Sequence, residues 1–280
     1  MTWNTLRTAL RSNAAFSALC GVISLVQAEA LSAWMGGFDP WILRALGPGL
    51  LLFAAILYME TRRSRPVPAS ALAISLADLV WVIGSVIVLI AAPDALSSGG
   101  TWTVLLVALV VLVFATWQLV GLRGLTRNTR RRTAARSGFE VHQEVAASPE
   151  AIWGVIRQLD RIGEFYSALK SVKVSRNGAR RTCENHKGQR WSEDVAALSD
   201  DNRELSLRFD TDAPGFPFPM RPMYGGWTVR RVGGKTSVTV WYEFTMKWGL
   251  LGELLAPLVA EQTRKTMAKT IRQMERAAAA

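Results

Sequence analysis

The chain has 280 residues, 50% hydrophobic and 20% charged, with 33 Lys and Arg against 22 Asp and Glu for a formal net charge of +11. Cys20 and Cys183 offer no disulfide or metal framework, and His142 and His186, with no clustered Cys or carboxylates, argue against a metal site. The excess charge is concentrated: residues 1–122 contribute +1 (six Arg, five acids), residues 123–137 contribute +6, and the remainder contributes +4 (21 minus 17). A nucleic-acid binder would spread Lys and Arg over a folded face, so this pattern points to a membrane surface instead.

Four apolar stretches, roughly Asn13 to Met35, Trp41 to Glu60, Ser70 to Ala92 and Thr101 to Leu122, are each long enough to cross a bilayer, which takes about 20 mainly apolar residues. Buried helices of a soluble bundle would show one polar face, and these hold almost no charge on any face. Arg7 and Arg11 with Ala28-Glu29-Ala30 imitate a cleavable signal peptide. The apolar character resumes through Leu31 to Met35, so a retained span is expected.

Orientation follows from the loops, because cytoplasmic loops collect Lys and Arg. Arg7 and Arg11 precede the first span, Arg62, Arg63 and Arg65 follow the second, and Arg123, Arg127, Arg130, Arg131, Arg132 and Arg136 follow the fourth. The other two loops hold only Asp39 and Asp94, with Trp34, Trp41 and Trp102 at the outer boundary. Both termini are therefore expected on the cytoplasmic side of a bacterial inner or plasma membrane, with the arginine run beside anionic lipid headgroups. Inside the spans, Glu29 and Arg44 are placed to pair across one hairpin. Asp78 falls about 12 Å into the third span at 1.5 Å per residue, as either a packing residue or a functional one, with Gln118 or Trp81 as its expected neighbour.

After the arginines the pattern changes to that of a soluble domain. Phe139 to Ala146 alternates as a strand, and Ser148-Pro149 supplies an N-cap and a first-turn proline for a helix carrying Ile152, Val155, Ile156 and Leu159 on one face. Ile162, Phe165, Tyr166 and Leu169 fall at the spacing of a second short helix. From Val172 onward the period is two, through strands near 180–186, 191–197, 205–209, 227–229 and 238–246, with a Gly233-Gly234 hairpin turn. One long helix closes the chain on an apolar stripe from Leu251 to Met274, with Pro257 expected to kink or divide it.

This order resembles the helix-grip fold of the START-like (SRPBCC) superfamily. The runs Val145-Ala146-Ala147-Ser148-Pro149-Glu150-Ala151-Ile152-Trp153 and Leu159-Asp160-Arg161-Ile162-Gly163-Glu164-Phe165-Tyr166, then Val172, are similar to the opening of the polyketide cyclase/dehydrase and lipid-transport family. Residues 188–195, Asp200-Asp201, Arg203-Glu204-Leu205 and 236–244 follow its strand pattern. The expected organisation is a four-helix transmembrane region (1–122), a basic linker (123–137) and an α+β helix-grip domain (138–280) of curved antiparallel sheet, two short helices and a long C-terminal helix.

The resemblance implies a hydrophobic cavity between sheet and closing helix. Strand parity turns Trp191, Glu193, Leu207, Phe209, Trp227, Tyr242 and Phe244 inward; the second short helix adds Phe165 and Tyr166, and the closing helix Leu258 and Met267. Taken singly, each is accounted for by core packing, and only the set supports a pocket. Glu193 is the one carboxylate placed on an apolar face, either as a proton donor with a raised pKa or as the partner of Arg181 or Arg190. Glu193 and Tyr242 are the weak candidates for catalysis. The loop of residues 213–226 holds four prolines with Phe216, Phe218, Met220, Met223 and Tyr224, read as exposed residues rimming the cavity entrance. Gly233-Gly234-Lys235-Thr236 imitates a phosphate loop, lacks its first glycine and joins two strands. No nucleophile elbow is present, and no cofactor, metal or nucleic acid is expected. The leading expectation is a membrane-anchored binder or carrier of a lipid, isoprenoid or polyketide-like molecule. The alternatives are a cyclase- or dehydratase-type enzyme using the same cavity, and a membrane sensor or assembly factor.

Overall fold

The computed structural model describes residues 2–127 and 132–279, so Arg130 and Arg131 of the basic run lie outside the described residues. The chain divides into two compact units, residues 1–125 and 126–280.

The first unit is helical: α1 (Thr2–Val26), α2 (Ala28–Met35), α3 (Trp41–Arg62), α4 (Pro68–Ala91) and α5 (Ser98–Gly124). Four of them are long and apolar enough to cross a membrane, with mean hydropathy from 1.4 to 2.5. Their outward faces carry exposed Leu19, Leu52, Val80, Ile90, Leu106 and Val120, a surface that fits a transmembrane region. The first span differs from its sequence boundaries. It begins at Thr2, because Leu6, Ala9 and Leu10 recur at helical spacing and are fully buried, while Arg7 donates from Nε to the Thr61 carbonyl at 2.7 Å. It stops at Val26, because Gln27 leaves helical backbone angles (φ −111°, ψ 24°), and Met35 belongs to the separate α2. α1 and α3 approach through glycine: a Cβ on Gly47 would lie 2.5 Å from Leu25 Cγ, and one on Gly21 would lie 2.9 Å from the Gly47 carbonyl oxygen.

Polar side chains join three of these helices. Asp78 Oδ2 accepts from Asn13 Nδ2 at 2.8 Å and from Gln118 Nε2 at 2.9 Å, and Ser75 Oγ donates to Gln118 Oε1 at 3.1 Å. Trp81 is not a partner: its buried Nε1 has no hydrogen-bond acceptor among the described residues. Arg44 donates to Glu29 at 2.7 Å, with both side chains more than half exposed.

The second unit is one seven-stranded antiparallel sheet with three helices: β1 (Ser137–Val145), α6 (Pro149–Ile156), α7 (Ile162–Phe165), β2 (Leu169–Ser175), β3 (Arg180–Asn185), β4 (Arg190–Ser199), β5 (Glu204–Phe209), β6 (Met220–Val232), β7 (Lys235–Met246) and α8 (Gly249–Ala278). The spatial order is β1-β7-β6-β5-β4-β3-β2, so the first strand closes against the last. Ser148 caps α6 by accepting from the Ala151 N–H, and Gly233 and Gly234, both at positive φ, turn β6 into β7. Register shifts at Leu169/Ser171, Val195/Ala197 and Met220/Met223 are bulges of the kind that bend a sheet. α8 packs on β1 and β7 through Ala256, Ala260, Met267, Ile271 and Met274, and runs undivided through Pro257.

Two other expectations are corrected. α7 ends at Phe165, because Tyr166 turns to extended angles and Leu169 already opens β2. The proline-rich connector stops at Pro219: Met220, Met223 and Tyr224 lie on β6, where Met220 pairs with Met246 and Met223 with Phe244, and both methionines are buried.

Candidate functional site

The inner face of the sheet, α7 and the middle of α8 enclose a cavity of about 160 Å³. Of the residues expected to face it, Tyr166, Trp191, Glu193, Leu207, Phe209, Trp227, Tyr242 and Met267 line it. Phe165, Phe244 and Leu258 do not. Phe165 packs into the core beneath Arg161, Phe244 lies on β7 one inward position beyond Tyr242, edge-on to Phe139 at 6.2 Å, and Leu258 is half-buried beside the lining residue Val259. Phe218, Met220 and Met223 also line the cavity, whereas Phe216 and Tyr224 do not. The loop phenylalanines are half-buried, in contrast to the exposed positions expected of them, because Phe218 packs edge-on against Trp191 (5.2 Å) and Phe216 against Phe218 (5.4 Å).

One end of this apolar space is polar. Arg181 on β3 and Glu193 on β4 are register partners, and Arg181 Nε donates to Glu193 Oε2 at 2.6 Å with the two side chains only 8% and 4% exposed. Trp191 Nε1 donates to Glu193 Oε1 at 2.8 Å, so both carboxylate oxygens are engaged. Arg190 is not its partner; it pairs with Glu184. Arg181 also lines the cavity, and the only protein acceptor bonded to its guanidinium among the described residues is Glu193, through Nε. Among the described residues Tyr242 offers its hydroxyl only to the thioether of Met267, at 3.6 Å, a weak acceptor.

The electrostatics follow from burial and the charge on Glu193. Burial pushes the Cys183 thiol up to about 12, helped by Glu193, which its Sγ meets at 3.9 Å. Burial, then Tyr166 and Glu193, hold the Tyr242 hydroxyl far above the ordinary phenol range, and burial followed by Glu193 raises Tyr166. All three stay neutral at physiological pH. Arg181 is opposed by burial, and the carboxylate beside it more than compensates, so its pKa rises and its charge is kept.

Several lining residues escape a reading of sequence alone. Ile162, Val259 and Thr263 have the spacing of ordinary helix faces, and Arg181 becomes a cavity residue only once β3 is registered against β4. Gly225 supplies space that no residue pattern announces: a Cβ there would lie 3.0 Å from the Tyr242 ring. Among the described residues, no group of His, Cys, Asp and Glu has the arrangement of a metal site.

The opposite face of the sheet carries a second buried carboxylate. Glu243, 1% exposed, accepts from the Arg132 N–H (2.8 Å), the Thr133 N–H (2.8 Å) and the Thr133 hydroxyl (2.6 Å). The end of the basic segment is thereby strapped to β7. Arg132 lies over the Trp241 ring at 4.7 Å and pairs with Glu140 at 3.0 Å, and Arg136 pairs with Glu253 at 3.7 Å. These two arginines thus serve the domain itself, while Arg127 is exposed.

Residues 137–279 match the family described as polyketide cyclase / dehydrase and lipid transport. Among solved structures the chain is similar to the protein XoxI from Bacillus cereus (16% identity, covering 50% of this chain and 94% of that one, TM-score 0.42). It is likewise similar to the Zhui aromatase/cyclase from Streptomyces sp. R1128 (15%, 50% and 93%, 0.42) and to a START superfamily protein from Mycobacterium smegmatis (15%, 50% and 97%, 0.41). A search of the curated proteins finds no match. Through the helix-grip domain that follows its four apolar helices, the chain belongs to the polyketide cyclase / dehydrase and lipid-transport family.

Proposed function

We propose that this protein is a membrane-anchored binder or carrier of a small hydrophobic molecule that bears an oxygen acceptor. The supporting observation is the cavity: aromatic and aliphatic walls with a single polar end where Arg181, Tyr242 and Tyr166 present donors. A buried guanidinium held by one carboxylate oxygen keeps N–H groups for a carbonyl, phenolate or carboxylate of the ligand. Size limits the choice. Ligand pockets usually hold about 300–1,000 Å³, so the roughly 160 Å³ found here takes one ring or a short acyl end.

Binding is favoured over proton-transfer chemistry because both oxygens of Glu193 are occupied and the Tyr242 phenol is held neutral. The arginines flanking the first, second and fourth spans support placing both termini and the domain on the cytoplasmic side of a bacterial inner or plasma membrane, where a ligand can be drawn from the adjacent leaflet. The test is purification of the full chain from its native host beside Thr263→Trp, which fills the cavity from α8, with mass spectrometry of the extracted small molecules. A compound present with the parent and depleted with the variant is expected; the same small molecules in both would overturn the reading.

A further inference from the structure

The turn between β7 and α8 is built to hold apolar side chains in solvent. Trp248, Leu250 and Leu251 are 65%, 63% and 70% exposed, and Leu255, one turn on, is 38% exposed. Trp248 stands at φ 69°, ψ 21°, a left-handed conformation that a bulky residue rarely adopts, followed by Gly249 at φ 56°. The turn is closed tightly under it: a Cβ on Gly252 would lie 2.0 Å from the Lys247 carbonyl oxygen, and the Lys247 N–H donates to the Pro219 carbonyl at 2.8 Å. The backbone therefore fixes the indole outward, beside the loop whose Phe218 lines the cavity. Strain kept in a place where packing would bury the same residues is a mark of function.

The chemistry of the patch selects its occupant. From Lys247 to Ala260 the only acid is Glu253, which is buried and paired with Arg136, so the exposed charge that this segment itself presents is the basic Lys247. An indole, aliphatic side chains and a basic rim are the composition of a segment that sits at a bilayer interface, and anionic headgroups complement it. A bilayer is also within covalent reach. Twelve residues (125–136) separate the end of α5, a helix apolar enough to span a membrane, from β1, which at most extends about 40 Å.

We infer that Trp248, Leu250 and Leu251 insert into the lipid surface and hold this end of the domain against it. This holds whether or not the cavity is loaded, so it stands or falls separately from the ligand reading. The test places an environment-sensitive NBD label on Leu250→Cys or Leu251→Cys, in a full chain carrying Cys20→Ala and Cys183→Ser. The protein is reconstituted in vesicles of equal phosphatidylcholine and phosphatidylglycerol, with the same label at Leu198→Cys, an exposed site on β4, as reference. Expected is blue-shifted emission at positions 250 and 251, quenched by nitroxide-bearing acyl chains, and water-like, unquenched emission at 198. Water-like emission at 250 and 251 would overturn the inference. So would a blue shift that acyl-chain nitroxides fail to quench, which assigns the patch to a protein partner or a second copy. Hydrogen exchange on the unsubstituted chain gives an independent reading: amides of residues 248–252 exchanging as fast in vesicles as in detergent would also refute it.

Discussion

Replacing Arg181 with Met tests whether the polar end of the cavity is one coupled unit. Arg181 and Glu193 sit 2.6 Å apart with side chains 8% and 4% exposed. Removing one member of such a pair leaves a desolvated charge and costs about 3–5 kcal/mol. In a domain of this size 1 kcal/mol moves the midpoint by roughly 2–4 °C, so Arg181→Met is expected to lower it by roughly 10 °C. Glu193→Leu alone should cost about as much, because it strands the guanidinium and frees the Trp191 N–H. The double substitution replaces both charges by apolar volume and should recover most of the loss, a coupling that only a double-mutant cycle isolates. The assay is the temperature at which the domain in the detergent-solubilised full chain becomes cleavable by protease, so that the helical unit does not enter the reading. Additive losses in the double variant would refute the coupled-pair account and leave Arg181 free to serve the ligand alone.

The remaining expectations concern pH, the strap and the helical unit. Cys183, Tyr166 and Tyr242 have pKa values raised by burial, so the folded domain keeps protons that the unfolded chain releases. The contribution of these three groups to stability should be level below about pH 9, the ordinary thiol value, and fall between pH 9 and about 12, with Cys183→Ala removing the thiol's share of that fall in pH-dependent melts. Thr133→Val deletes one hydrogen bond to the buried Glu243 and should cost about 1–2 kcal/mol while speeding amide exchange of residues 132–136. Asp78→Ala leaves Asn13 and Gln118 without their shared acceptor, at about 0.6–2 kcal/mol for each bond lost, and should lower the unfolding midpoint of the helical unit in nanodiscs. An unchanged midpoint would show that these three helices do not depend on the polar contact.

Most of the architecture could be read from periodicity because local and global signals agree. Long apolar runs give helices with exposed apolar faces, and alternation from Val172 to Met246 gives strands whose inward set, Trp191, Glu193, Leu207, Phe209 and Tyr242, shares one space. Failures arose where a residue's surroundings come from far away in the chain. Residues 2–12 look too polar for a span, yet Leu6 and Leu10 are buried against distant partners including Leu57 and Leu122. Phe216 and Phe218 belong to a connector by composition, but Trp191 offers them a wall. Glu243 has the parity of a solvent-facing residue, and no pattern announces that Arg132 and Thr133 return to cover it. Phe244 has inward parity without reaching the cavity, because parity assigns a face of the sheet and not a position along it.

The strap on Glu243 also says where this domain can be cut. A fragment starting at Gly138, the domain boundary expected from the sequence, would lose Arg132 and Thr133 and leave a carboxylate and the Trp241 ring uncovered on the back of the sheet. The Gly138 N–H would also lose the Thr126 carbonyl, to which it donates at 2.6 Å. A fragment starting at Thr126 keeps all of these contacts. The arginine run that reads as a spacer between membrane and domain is, at its far end, part of the domain's own surface, and a soluble version has to carry it.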